Sequence, residues 1–144
     1  MKHNSFGNLR DWGPVLELFD ELADSGQLGP YQPGLIRILR YKGNWRLREA
    51  VLMRVGEIET PSSELVLEVL SILADDNIYY DVRILAGDAL TKLLKNVRDG
   101  FNGNIRMSVQ KVAERLRRTP QPIIFDNALR KLYSEIGLVT TLEN

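Results

Sequence analysis

The residues of this chain that could do chemistry are few. His3 is its single histidine and there is no cysteine, so disulfides, thiolate metal sites and cysteine nucleophiles are excluded. A metal would have to be held by carboxylates, and the adjacent Asp75 and Asp76 are read instead as the acidic end of a helix and its cap. A serine nucleophile needs a base, which here means His3 or a lysine, and no spacing joins either to a serine. The stretch DGFNGN, residues 99–104, has the glycines of a turn but not the Gly-Lys-Ser/Thr end of a phosphate-binding loop. The expectation is a chain with no catalytic residue, no metal ligand and no cofactor, and therefore not an enzyme.

What remains is charge, and charge is arranged in blocks. The 144 residues carry 19 basic and 19 acidic side chains, so no net field draws the chain to nucleic acid or a membrane. Locally the balance swings. Asp11, Glu17, Asp20, Glu21 and Asp24 are followed by Arg37, Arg40, Lys42, Arg46, Arg48 and Arg54. Glu57, Glu59, Glu64, Glu68, Asp75, Asp76 and Asp81 come next, and then a basic stretch from Arg83 through Lys111, Arg115, Arg117 and Arg118. Such blocks are either neighbouring layers that attract each other or patches of opposite sign that meet a partner. With 44% hydrophobic and 26% charged residues the composition is that of one soluble domain. The N-terminal stretch has no apolar signal core and no apolar run reaches membrane-spanning length, so a cytoplasmic location away from membranes is expected.

These side chains must be positioned by helices. Trp12, Val15, Leu16, Phe19, Leu22 and Ala23 recur at helical spacing, with Asp11 as a possible cap and Pro14 in the first turn. A short helix follows with Leu35, Ile36, Ile38 and Leu39, then one that Asn44 can cap. Residues 64–75 are apolar around most of the circumference, with Glu64, Glu68, Ser71 and Asp75 on one edge, which predicts a central helix buried on several sides. Residues 104–118 place Ile105, Val109, Val112 and Leu116 inward and Met107, Lys111, Glu114 and Arg118 outward. Phe125, Ala128, Leu129, Leu132 and Ile136 mark a last helix. No period-two run is bounded by hairpin turns, so the fold class is all-α.

One helix is written twice. NWRLREAVLMRVGEI, residues 44–58, overlays YYDVRILAGDALTKLL, residues 79–94, with Trp45 on Tyr80, Leu47 on Val82, Arg48 on Arg83 and Val51 on Ala86. A helix pair of roughly 40 residues that cannot bury its own apolar face stacks on copies of itself. The expected organisation is a single domain, residues 1–144, of helix pairs 11–41, 44–75 and 79–118 with a final helix at 122–137.

The two copies resemble the first helices of HEAT-like repeats, whose pattern is a hydrophobic residue, an arginine and then small residues. The resemblance implies a short right-handed α–α superhelix of about seven antiparallel helices. It also implies that Arg48 and Arg83 match the family's ladder arginine, with Asp76 or Asp81 as the acid; Asn44 stands where the first copy would want one. Enzymes built on such repeats, a lysine-derivative hydroxylase and bilin lyases, need His–Glu ligands or a Cys or His handle that this chain lacks.

By that resemblance the second helices line a concave face. The expected function is a protein-binding scaffold whose groove is formed by Arg37, Arg40, Glu64, Glu68, Met107, Lys111, Arg115 and Arg118. Nucleic acid held by helix 104–118 is the alternative, opposed by the carboxylates of helix 62–75. Self-association into a homodimer through an apolar end, where IIF opens the last helix, is a further expectation. Tyr31, Met107 and Tyr133 are anchors if exposed and core if not, while Trp12 and Trp45 are expected in the core.

Overall fold

The computed structural model describes residues 6–96 and 103–137. Among these are seven α-helices and no strand: α1 (Trp12–Asp24), α2 (Gln32–Arg40), α3 (Trp45–Arg54), α4 (Ser63–Ala74), α5 (Tyr80–Asn96), α6 (Gly103–Arg118) and α7 (Ile123–Glu135). His3, the C-terminal LVTTLEN and most of the Gly-rich turn lie outside the described residues; Gly103 and Asn104 from that turn open α6.

Local chemistry sets the helix ends. The Asn44 side chain accepts the Arg46 N–H at 2.9 Å and the Ser62 hydroxyl accepts the Leu65 N–H at 3.1 Å, each satisfying an amide with no partner inside its helix. Asp11 occupies the corresponding position before α1 but makes no capping bond through its side chain. Gly26, at φ 70°, ends α1; its N–H donates to the Ala23 carbonyl and that of Gln27 to the Leu22 carbonyl, the paired bonds of a left-handed C-terminal cap.

The helices form two rows. α1, α3, α5 and α7 pack in succession, as do α2, α4 and α6. Contacts between matching ends show that each row runs parallel. Arg54, last in α3, bonds Asp24, last in α1, at 2.7 Å, and Asn96 at the end of α5 donates to the carbonyls of Gly56 and Ile58 just after α3. The rings of Tyr80 and Phe125, in the first turns of α5 and α7, lie 5.1 Å apart. In the other row Gln32, which opens α2, accepts the Ser62 N–H at 2.7 Å and donates to the Thr60 carbonyl, and Arg115 of α6 reaches the last carbonyl of α4. The core lies between the rows, with Ile38, Leu47, Val51, Leu65, Leu73, Leu90, Phe125 and Leu129 fully buried.

Two expectations about the core are corrected. Trp12 and Trp45 are exposed. Both are the first residues of parallel helices, where the Cα–Cβ bond tilts back past the helix start and no preceding turn covers the ring. Leu67 is also exposed, because it shares the edge of Glu64 and Ser71 on α4; Leu65, Val66, Val69, Leu70, Ile72 and Leu73 are buried as expected.

The repeated arginines do the same work twice. Arg48 Nε donates to the Leu39 carbonyl in the last turn of α2, and Arg83 Nε to the Leu73 carbonyl in the last turn of α4. Each thereby satisfies a carbonyl that helix termination leaves unpaired. Arg83 is 2% exposed and its guanidinium lies over the rings of Tyr80 and Phe125, 5.3 and 4.7 Å from their centroids. It also bonds Asp76 at 3.3 Å, but with that carboxylate 71% exposed the ion pair contributes little. The carbonyl bond and the two ring faces carry the interaction. α7 does not follow the pattern: its fourth residue, where α3 has Arg48 and α5 has Arg83, is Asp126, and the Gln121 amide just before the helix donates to the Leu116 carbonyl of α6.

Arg83→Ala is expected to destabilise the chain by about 3 kcal/mol, through a buried carbonyl without a donor and a cavity beneath two rings. Arg48→Ala, with one carbonyl bond at 3.2 Å and a partly exposed side chain, should cost about 1 kcal/mol. Urea unfolding of both variants checks the order.

Tyr133 supplies a second test. It is 7% exposed and its hydroxyl has no hydrogen-bond partner among the described residues. Burial, and after it the nearby Asp126 carboxylate, push the phenol up to about 12. An unfolded tyrosine titrates near pH ~10. The folded chain thus holds the proton more tightly, so this contribution to stability is complete below pH ~10 and declines as pH rises towards 12. Tyr133→Phe should leave stability at neutral pH unchanged or higher and make that alkaline decline shallower, measured by denaturation at a series of pH values.

Candidate functional site

The second row of helices carries two adjacent clefts along α2 and α4, separate but sharing Arg40, which together are called the groove. Its upper part is a cleft of about 460 Å³ lined by Arg10, Pro33, Ile36, Arg37, Arg40, Tyr41 and Glu64, closed by Asn8 and Leu9. Its lower part, about 480 Å³, lies between the ends of α2 and α4 and is lined by Arg40, Lys42, Arg48, Glu68, Ser71 and Asp75, with Leu39, Ile72, Asn77 and Ile78. Arg40 is common to both.

The walls differ in sign. Arg10, Arg37, Arg40, Lys42 and Arg48 come from the α1–α2–α3 side, and Glu64, Glu68 and Asp75 from α4. Where the walls come closest, Arg40 Nε donates to Glu68 at 2.7 Å, with the Arg40 side chain 59% exposed. Its pKa is raised first by that hydrogen bond, then by the charge of Glu68 and, after the opposing effect of desolvation, by Glu64. Arg37 donates through Nη2 to the Gly7 carbonyl at 2.8 Å, while its Nη1 is buried with no hydrogen-bond partner among the described residues. That bond and the edge-on stacking of Phe6 with Tyr31, at 6.1 Å, fold the segment before α1 over α2. Arg10 and Glu64 are exposed, and neither forms an ion pair among the described residues.

Arg37, Arg40, Glu64 and Glu68, singled out from the sequence, therefore meet in one place. The α6 set divides. Met107, Lys111 and Arg118 are exposed on its outer side. Arg115 is tied down: its Nη2 donates to the Ala74 carbonyl at 2.6 Å and its Nη1 lies 3.4 Å from Asp76, which joins it to Arg83. Arg10, Asn8, Leu9 and Tyr41 were not foreseen. Nothing in their local pattern marks them, since the Arg37–Gly7 bond that brings the segment back spans 30 residues.

Other expected anchors sort by burial. Tyr133 is in the core, Tyr31 is partly covered by Phe6, and Met107 is exposed. Trp12, Trp45, Tyr80 and Ile123 are exposed at the first positions of α1, α3, α5 and α7, and Ile124 beside Ile123 is exposed too. Among the described residues no three His, Cys, Asp or Glu side chains group to hold a metal ion, and no helix is long and apolar enough to cross a membrane. Compared with protein-family models, curated proteins and solved structures, the chain finds no match.

The division within α6 is testable. Arg115→Ala should lower unfolding free energy by about 1 kcal/mol, by freeing the end of α4. Lys111→Ala, on the solvated side of the same helix, should change it by less than about 0.5 kcal/mol. Equal effects in chemical denaturation would contradict the assignment.

Proposed function

We propose that this chain is a non-catalytic protein-interaction scaffold, a short HEAT-like solenoid that receives a partner along the α2–α4–α6 side. Two parallel rows of helices, with an arginine repeated at the same joint, support the solenoid description. The observation that carries the function is the groove, open to solvent, with cations on one wall and carboxylates on the other. Charges arranged in this way select a partner and orient its approach more than they add affinity. Lys111 and Arg118 extend the charged surface onto α6.

Nucleic acid bound by α6 is the second reading, favoured by Arg106, Lys111 and Arg118, which are exposed and form no ion pair among the described residues. Glu64 and Glu68 on the adjoining helix would repel phosphates that entered the groove.

Capture from native lysate separates the two, comparing wild type with Arg10→Glu/Glu64→Lys and with Lys111→Glu/Arg118→Glu, with and without nuclease. Arg115 is left intact because its reversal would disturb α4. A protein that survives nuclease and is lost in the groove variant is the expected result. Recovery only of nuclease-sensitive material, lost in the α6 variant, would replace the scaffold with a nucleic-acid-binding role.

A further inference from the structure

We propose that the α2–α4 groove takes an extended peptide segment in which acidic and basic residues alternate. This rests on the scaffold reading and names the ligand of the same site. The reason is the segregation of the walls. A uniformly acidic ligand would meet Arg10 and Arg37 favourably but be repelled by Glu64, and a uniformly basic one would suffer the reverse. A helical ligand with its charges on one face would satisfy only one wall. In an extended chain successive side chains point to opposite sides, so alternating acids and bases direct all acids to the α2 wall and all bases to the α4 wall.

The spacing agrees. Glu64 and Glu68 are four positions apart on α4, an axial separation of about 6 Å. Same-side residues of an extended chain are separated by about 6.6 Å. From Glu64 to Asp75 the acidic wall runs about 16 Å along the helix axis and its end, the reach of about five extended residues. Apolar surface at Ile36, Pro33 and Tyr41 lies under the upper half, where the backbone of such a segment would rest.

The Arg40–Glu68 pair crosses the path of this segment and already makes the exchange that the ligand would make. The Arg40 side chain is 59% exposed but that of Glu68 only 15%, so the pair opens only where the ligand supplies a base to Glu68 in the same step. One acid of the peptide would replace Glu68 on Arg40, and one base would replace Arg40 on Glu68. The carboxylate and guanidinium of the protein remain paired throughout, with new partners.

The test is fluorescence anisotropy of labelled peptides of about eight residues, long enough to overfill the wall. One alternates Glu and Lys; the control has the same composition in two blocks. The alternating peptide should bind at least about tenfold more tightly, and Arg10→Glu or Glu64→Lys should each weaken it about tenfold. Thermal unfolding of both variants should match wild type, since neither residue is buried or in an ion pair among the described residues. Equal or tighter binding of the block peptide, or variants that bind as wild type does, would overturn the inference. If no peptide binds while the groove variant still loses a captured protein, the alternating ligand is wrong and the scaffold reading stands. If the groove variant also retains every captured protein, both fall.

Discussion

The bond from Arg83 to the Leu73 carbonyl is the joint on which the second half of the molecule depends. A helix that ends inside a protein leaves carbonyls without donors, and burying them unpaired is costly. Here the next helix supplies the donor from its own first turn, which sets how α5 leaves α4. The same guanidinium lies against Phe125 and so seats α7, and its carboxylate partner Asp76 also holds Arg115 of α6. Four helices are thus related through one side chain. At the earlier joint Arg48 makes only the carbonyl bond among the described residues, and at the later one a glutamine takes the carbonyl. The interaction is strongest in the middle of the stack, where packing on both sides excludes water.

Charge is divided between holding the stack and facing outward. Arg54 joins Asp24 and Glu57, and its pKa is raised by hydrogen bonds to both. These are exposed pairs whose role is to bring matching helix ends together more than to add much stability. In the groove the opposite signs remain largely apart, because Arg10 and Glu64 have no ion-pair partner among the described residues and only Arg40 and Glu68 span the gap. The charge blocks thus contain both side chains that join neighbouring helices and side chains that face solvent.

The exposed first residues of α1, α3, α5 and α7 follow from the same architecture. Parallel helices stacked in register bring their first turns to one end of the row. A side chain there projects beyond the layer that buries the rest of the helix. Arg46 lies over the Trp45 ring at 5.4 Å and shields part of it. Helical periodicity treats such a residue as one more member of the apolar stripe, and only the position of the helix start removes it from the core.

The sequence by itself determined the helices, their approximate limits and the repetition of one of them, because capping residues and apolar spacing act within a few positions along the chain. The expectation that second helices share one face also put Arg37, Arg40, Glu64 and Glu68 in one candidate set with Met107, Lys111, Arg115 and Arg118, and it came from the resemblance to helical repeats, not from spacing or charge. Tertiary structure decided the rest. Whether Arg115 faces a partner or the end of α4, whether Trp45 is covered, and whether Arg10 reaches the groove depend on contacts between segments tens of residues apart. Those contacts are set by which carbonyls and apolar faces remain unsatisfied after each helix has formed, a balance no local pattern expresses.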